Sequence, residues 1–212
     1  MGKVDGKVAL VVGGALGIGR DCCALLASEG AKVAATDRFG DAGNGLVEEI
    51  AAAGGTAKFW LLDVTNKIEI EDVFSHISKT FGGLDALVIN SGFACLNGED
   101  RGVTDDEIRL IRAIDETGPA LCIECAIPFL KKRGGSIINL TSVYGIIGAP
   151  DAPPYRSEGE STRLMTKDEL NDYSRNGIRV NAIHPAYARD IARGVLFLAS
   201  DESKSVTATE LR

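Results

Sequence analysis

The chain has 212 residues, of which 45% are apolar and 25% are charged, the composition of an ordinary globular protein. Its 23 basic and 30 acidic residues give a net charge of −7, which argues against a nucleic-acid partner and against an anionic membrane surface. No apolar run approaches the roughly 18 residues of a membrane helix, and the charged N-terminus does not resemble an export signal, so we expect a cytoplasmic protein with free thiols.

Short β-branched runs alternate with helical stretches along almost the whole sequence. The predicted strands are residues 7–12, 32–36, 58–62, 86–90, 135–140 and 179–183, and the predicted helices are residues 20–29, 45–53, 67–81, 105–132, 160–174 and 190–200. Continuous apolar strands separated by helices are typical of a parallel sheet that is covered on both faces. The sequence therefore predicts an α/β fold, a single doubly wound domain over residues 1–212 without linkers or repeats.

The first predicted strand runs into a glycine-rich turn that precedes the first helix. Gly13, Gly17 and Gly19 have the spacing G-x-x-x-G-x-G rather than G-x-G-x-x-G. Glycines at such a turn let the backbone approach a pyrophosphate, whose charge is favoured at the N-terminus of a helix. A glycine-rich turn can also serve packing alone, so the turn by itself does not establish a nucleotide site.

An acidic residue ends the second predicted strand. Asp37 follows Gly19 by 18 residues, where a carboxylate can accept hydrogen bonds from both ribose hydroxyls of an adenosine. The same carboxylate would repel a 2′-phosphate, which favours NAD over NADP, although the neighbouring Arg38 weakens that preference. The alternative is that Asp37 is only a solvated carboxylate at a strand end.

Further short segments resemble the short-chain dehydrogenase/reductase family, and the resemblance covers nearly the whole chain. Asp63-Val64 resembles the family's adenine-contacting pair, Asn90-Ser91-Gly92 its Asn-Ala-Gly element, and Arg179-Val180-Asn181 with Pro185 the strand and turn near the nicotinamide. The resemblance implies a Rossmann-like NAD-dependent oxidoreductase. The cofactor-binding residues that it implies are Gly13, Leu16, Gly17, Ile18, Gly19, Asp37, Asp63, Val64, Asn90, Gly92 and Pro185.

The resemblance also implies two catalytic residues. The family transfers a hydride between the nicotinamide and the carbon of a secondary alcohol or its ketone, which requires a proton donor and a second hydrogen bond to the substrate oxygen. Ser142 matches the family serine that binds this oxygen, and Tyr155, 13 residues later, matches the tyrosine that transfers the proton. The alternatives are a strand-end serine and a tyrosine packed in a loop.

Three departures from the family pattern put turnover in question. Gly159 stands where the family has a lysine that lowers the pKa of the tyrosine, and an unperturbed tyrosine is only about one part in a thousand ionised at neutral pH. Asp115 replaces an asparagine that supports this lysine. The segment after Ala186 passes directly into the last predicted helix, without the family's substrate lid. The sequence therefore leaves two hypotheses, an active oxidoreductase and a nucleotide-binding homologue that has lost turnover and acts as a scaffold or regulator.

Assembly and metal binding are predicted less directly. By resemblance we expect a homotetramer whose interface uses the helices over residues 105–132 and 160–174, with a dimer or a monomer as the alternative because the second helix has few apolar residues. Cys122 and Cys125 lie three residues apart, on one helix face. Without a second pair of ligands at metal spacing, they are interpreted as packed thiols, and no metal site is predicted.

Overall fold

A computed structural model describes residues 2–90, 92, 104–141, 173–184 and 190–211 of the chain. Its strands are β1 (Val8–Val12), β2 (Lys32–Asp37), β3 (Thr56–Leu61), β4 (Ala86–Ile89), β5 (Gly135–Leu140), β6 (Ile178–Ile183) and β7 (Glu210–Leu211). Its α-helices are α1 (Gly17–Ser28), α2 (Gly40–Ala52), α3 (Lys67–Phe81), α4 (Asp105–Arg112), α5 (Gly118–Leu130) and α6 (Ile191–Ala199). A π-helical turn, Ala113–Thr117, joins α4 to α5, and short 3-10 turns occupy Ser174–Asn176 and Asp201–Ser203.

Within these described ranges, the seven strands form one sheet in the order β3-β2-β1-β4-β5-β6-β7. Every neighbouring pair is parallel. The chain thus moves outward from β1 to β3, returns to β4 on the other side of β1, and moves outward again. This confirms the predicted doubly wound α/β fold. The reversal beside β1 is the point at which parallel sheets of this type bind ligands.

Alternating side chains of the strands build a core on each face of the sheet. On one face, Val11 of β1 belongs to the same buried cluster as Leu26 of α1 and Leu198 of α6. On the other face, Leu10 of β1 belongs to the cluster that contains Phe74 of α3 and Ile123 of α5. Both faces of β1 are therefore covered, which explains why this strand is a continuous apolar run.

The second helix begins five residues earlier than predicted. The sequence prediction starts this helix at Gly45, whereas Gly40 and Gly43, which precede it, are residues of low helix propensity. In the structure α2 begins at Gly40, and the Cβ of a side chain built onto Gly43 would lie 2.1 Å from the Phe59 ring of β3. Gly43 lets the helix approach β3 closely, and this packing overrides the low helix propensity of the glycines.

The predicted helix over residues 105–132 is interrupted in the structure by the π-helical turn. Pro119 is the second residue after this turn, following Gly118. In a continuous α-helix its nitrogen would donate to the carbonyl of Asp115, but proline has no N–H group. The missing donor offers a physical reason for the change of helical pitch, and π-helical turns are frequent at functional sites.

The C-terminal residues complete the sheet beside β6. The Arg179 guanidinium donates to the carbonyls of Leu198 and Val206, at 2.6 and 3.2 Å, and thereby fastens the end of α6 and the segment after it to the sheet. The predicted helix over residues 160–174 lies outside the described residues except for its last two positions. Among the helices that the structure describes, none is both long enough and apolar enough to cross a membrane.

Candidate functional site

The glycine-rich turn connects β1 to α1 at the carboxyl edge of the sheet. Gly17 has a φ of +52°, which L side chains rarely adopt. Gly19 is required for a different reason, since a Cβ there would lie 1.9 Å from the carbonyl oxygen of Gly13 and 2.7 Å from Asn90 Nδ2. Asn90, which follows β4, donates from Nδ2 to that same carbonyl at 2.8 Å. The turn is thus held against α1 and β4 by close backbone packing.

The N-terminus of α1 is suited to an anion. The residue at its N-cap position, Leu16, has no side chain that could accept from the first N–H groups of the helix, and the first turn carries no acidic residue. The helix dipole adds a partial positive charge to these groups. A phosphate that approached Gly17 would meet open space, because a Cβ built there has no atom within 4 Å. These features together make a favourable anion-binding position.

Asp37 lies at the end of β2, beside the same turn. Its carboxylate accepts from the backbone N–H of Ala15 at 3.0 Å and from that of Arg38 at 2.8 Å. The side chain is therefore fixed in orientation while it remains half-buried. The Arg38 guanidinium lies 4.9 Å from the centre of the Phe39 ring, a distance typical of a cation–π contact.

Asp63 follows β3 and begins the turn that leads into α3. Its Oδ1 accepts from the backbone N–H of Thr65 at 2.9 Å and from the hydroxyl of Thr65 at 2.7 Å. Asn66 then caps α3 by accepting from the backbone N–H of Glu69. This network fixes the segment that leaves β3 and places Asp63 and Val64 at the carboxyl edge of the sheet.

These segments enclose a cavity of about 550 Å³ at the carboxyl edge, beside β1. Nine of the eleven cofactor-binding residues implied by the sequence line it, namely Gly13, Leu16, Gly17, Ile18, Asp37, Asp63, Val64, Asn90 and Gly92. Gly19 lies behind the turn and makes its close packing possible. Pro185 lies outside the described residues, as do Ser142 and Tyr155, the two implied catalytic residues, and Gly159 and Ser91.

Sequence reasoning missed several residues of the cavity wall. Phe39, Leu62, Leu110 and Ile114 supply apolar surface to it. Leu110 and Ile114 lie four residues apart in a charged helical segment, so both lie on one face of the helix. This spacing could have predicted an apolar face there. Phe39 is 45% exposed and Leu110 44% exposed, so both side chains offer apolar surface to a ligand in the cavity.

The cysteines that the structure describes are packed side chains. Cys22, Cys23 and Cys122 are buried, and Cys125 is partly exposed. Burial raises the pKa of the Cys22 and Cys122 thiols to about 12, so these thiols stay protonated and unreactive at neutral pH. Within the described ranges, no three His, Cys, Asp or Glu side chains form a group that could hold a metal ion.

Comparison with known proteins agrees with this geometry. A family model described as short chain dehydrogenase matches residues 7–192. Cyclopentanol dehydrogenase of Comamonas testosteroni is 34% identical over 242 aligned positions, which cover 100% of this chain and 96% of the relative. Trans-4-hydroxycyclohexanecarboxylate dehydrogenase of Sinomonas cyclohexanicum is 34% identical and 2,5-dichloro-2,5-cyclohexadiene-1,4-diol dehydrogenase of Sphingobium indicum is 33% identical, each over 99% of this chain and 92% and 95% of the relative.

The alignment lengths also reveal a difference from these relatives. The alignment to the Comamonas protein spans 242 positions, whereas this chain has 212 residues, so 30 positions have no counterpart here. In this chain only seven residues, 184–190, connect β6 to α6. This connection leaves the carboxyl edge of the sheet, where the cavity lies.

Proposed function

The chain belongs to the short-chain dehydrogenase family, and on that premise we propose that it is an NAD-dependent oxidoreductase that acts on a secondary alcohol or the corresponding ketone. NAD would accept the hydride during alcohol oxidation, and NADH would donate it during ketone reduction. All other parts of the proposal concern residues of the chain itself.

The observation that carries the proposal is the position of the Asp37 carboxylate. It lines the cavity at the end of β2, next to the anion-binding end of α1, and the backbone N–H groups of Ala15 and Arg38 fix its orientation. A fixed carboxylate at this place can accept hydrogen bonds from the 2′- and 3′-hydroxyls of an adenosine ribose. A 2′-phosphate would instead meet a negative charge, so we propose NAD rather than NADP as the cofactor.

The rest of the cavity fits the same cofactor. The α1 N-terminus and the Gly17 turn would hold the pyrophosphate, because they present uncapped N–H groups and open space. Asp63 and Val64 would contact the adenine, and the exposed apolar surface of Leu110 would cover it. A cavity of about 550 Å³ lies in the ordinary size range of cofactor sites.

The proposed chemistry at the substrate uses Ser142 and Tyr155. During alcohol oxidation Tyr155 would accept the hydroxyl proton while Ser142 donates a hydrogen bond to the substrate oxygen, and ketone reduction would reverse the proton transfer. By resemblance Gly159 stands at the position of the family lysine, so we expect the Tyr155 phenol to have no lysine that lowers its pKa. Alcohol oxidation requires the ionised phenol, so we expect it to be impaired more than ketone reduction.

The substrate class that we propose is a secondary alcohol on a five- or six-membered carbon ring. Three similar proteins are named for such alcohols, a cyclopentanol, a cyclohexadiene diol and a hydroxycyclohexanecarboxylate. Each covers nearly the whole of this chain. A ring alcohol presents one hydroxyl on a compact apolar body, which a small apolar pocket can orient with few polar contacts.

Two matched variants test the proposal. We expect Asp37→Ala to weaken NADH binding by about tenfold to a hundredfold, because hydrogen bonds to a charged group contribute about 1.5–3 kcal/mol, and to reduce the preference over NADPH. Asp41→Ala removes the same charge from an exposed position four residues later and should leave binding unchanged. Turnover is measured in parallel as NADH formation from NAD and cyclopentanol. Equal NADH affinities of Asp37→Ala and the unchanged chain would show that Asp37 is only a solvated carboxylate.

A second function is favoured by the aligned positions of a relative that have no counterpart in this chain. Thirty aligned positions of the Comamonas relative have no counterpart here, and only seven residues leave β6 before α6 begins. With the lysine also absent, the chain could serve as a nucleotide-binding scaffold or regulator without turnover. Tight NADH binding without any turnover of ring alcohols or ketones would favour this function, and measurable turnover that requires Tyr155 would exclude it.

A further inference from the structure

A buried carboxylate lies behind the cavity wall at the side of β4. Asp115 is 8% exposed and belongs to the π-helical turn between α4 and α5. A Cβ built onto Gly92, which lines the cavity, would lie 3.9 Å from Asp115 Oδ1. The cavity-lining residue Ile114 immediately precedes Asp115 in the same turn. The carboxylate is therefore separated from the cavity by little more than a glycine backbone.

The sheet order indicates which part of a dinucleotide would lie near this carboxylate. Asp37 follows β2, on one side of β1, whereas Asn90 and Gly92 follow β4, on the other side. If Asp37 binds the adenosine ribose and the α1 N-terminus binds the pyrophosphate, the second half of the dinucleotide extends toward β4. This is the side on which Asp115 is buried.

We propose that the Asp115 carboxylate strengthens binding of the oxidised cofactor, whose nicotinamide ring is positively charged, relative to the reduced cofactor, whose ring is neutral. The inference rests on the proposed function, because it assumes a nicotinamide dinucleotide in the cavity. It assigns to Asp115 a positioning role through charge, not a contact with the substrate. Tighter binding of the oxidised cofactor favours alcohol oxidation over ketone reduction. Alcohol oxidation is also the direction that we expect to be more impaired, because it requires the ionised phenol of Tyr155.

The expected size of the effect follows from the charge and its burial. At an effective dielectric constant of about 20, two unit charges about 12 Å apart change an equilibrium constant by about tenfold. Burial behind the Gly92 backbone limits screening by salt. Glu116, the next residue, is less buried and is therefore a matched charge for comparison.

The experiment measures three dissociation constants for the unchanged chain, for Asp115→Asn and for Glu116→Gln. NADH is titrated directly by its fluorescence, and NAD and ADP-ribose are measured by displacement of NADH. ADP-ribose lacks the nicotinamide ring, so it reports whether the adenosine side of the site is intact. We expect Asp115→Asn to lower the affinity for NAD relative to that for NADH by about tenfold, while the affinities for NADH and ADP-ribose, whose pyrophosphates carry the same charge, change together. Glu116→Gln should leave the ratio of NAD to NADH affinity unchanged.

Other outcomes overturn the inference. An unchanged ratio of NAD to NADH affinity in Asp115→Asn would show that the carboxylate does not act on the ring, while the proposed function would stand. Equal weakening of all three ligands, or loss of folding in both Asp115→Asn and the smaller variant Asp115→Ser, would show that Asp115 is a structural residue only. Failure of the unchanged chain to bind NADH, NAD or ADP-ribose would overturn the proposed function as well.

Discussion

The close packing of Gly19 against the glycine-rich turn provides a sharp test of the proposed cofactor site. Replacement of Gly19 by alanine would place a Cβ 1.9 Å from the Gly13 carbonyl oxygen, whereas ordinary contact begins at 3.4 Å. The atom that it meets belongs to the backbone, so no side-chain rotation relieves the overlap. The turn and the start of α1 must move apart, and the 2.8 Å hydrogen bond from Asn90 to Gly13 must lengthen.

Two terms set the expected magnitude. Overpacking of a tightly packed site costs about 1–3 kcal/mol, and loss of the Asn90 hydrogen bond adds about 1 kcal/mol. We therefore expect the free energy of unfolding to fall by about 2–4 kcal/mol. The shifted turn would also misdirect the N–H groups toward the pyrophosphate, and loss of one or two such charge-assisted bonds weakens NADH binding by about thirtyfold or more.

The assay compares Gly19→Ala with Gly45→Ala. Gly45 lies within α2, and a Cβ there has no atom within 4 Å, so alanine should stabilise the protein by about 0.5–1 kcal/mol through its higher helix propensity and leave NADH binding unchanged. Urea unfolding gives the stabilities, and fluorescence titration at a temperature where both variants are folded gives the affinities. If Gly19→Ala bound NADH as tightly as Gly45→Ala, the turn would not be the site of the cofactor phosphates.

Three further predictions concern turnover, thiol reactivity and acid stability. Gly159→Lys should raise the rate of alcohol oxidation by about a hundredfold or more, because a nearby cation restores proton transfer by Tyr155. Gly159→Met adds a side chain of similar length without charge and should not raise it. Equal steady-state rates of the two variants would refute the role of the positive charge. Iodoacetamide should label Cys125 before Cys122 in the folded protein, because Cys122 is buried and its pKa is raised to about 12; peptide mass spectrometry showing equal labelling would contradict that burial. Hydrogen bonds from lysine side chains, chiefly Lys7, lower the pKa of Asp201. Its contribution of about 0.2–1 kcal/mol should be fully present at neutral pH, begin to fall near the unfolded pKa of about 3.9 and be lost as the pH falls through the lower pKa of the folded state. Urea unfolding should therefore show a stability difference between Asp201→Asn and the unchanged chain at neutral pH that shrinks in acid, and an equal difference at both pH values would disprove the assignment.

Local sequence patterns were sufficient to predict six of the seven described strands, the glycine-rich turn and Asp37, but not β7. The other cavity residues were implied by the resemblance to the family. The strand that ends at Val12 and the turn through Gly19 were readable because buried parallel strands are uninterrupted apolar runs and tight turns require glycine. The position of Asp37 at the end of β2 followed from the same alternation of strands and helices. Each of these features is determined by residues that are close together in the sequence, so it can be inferred from one sequence alone.

The remaining features depend on contacts between distant residues. The early start of α2 requires the ring of Phe59, on the next strand, to lie against Gly43. The π-helical turn joins α4 to α5, and the burial of Asp115 within it depends on how tertiary packing places that turn. Neither is encoded in a local pattern, although Pro119 signals a disturbed helix. The proposed catalytic residues Ser142 and Tyr155 lie outside the described residues, so their roles stay predictions.

The most direct test of the proposed function is a titration of the unchanged chain with NADH, followed by nicotinamide fluorescence, with NADPH as the control. The position of Asp37 in the cavity wall predicts saturable NADH binding that is tighter than NADPH binding by about tenfold or more, since a 2′-phosphate would lose the ribose hydrogen bonds to this carboxylate. Equal affinity for the two nucleotides would contradict the assignment of Asp37, and no binding of either would contradict the proposed cofactor site itself.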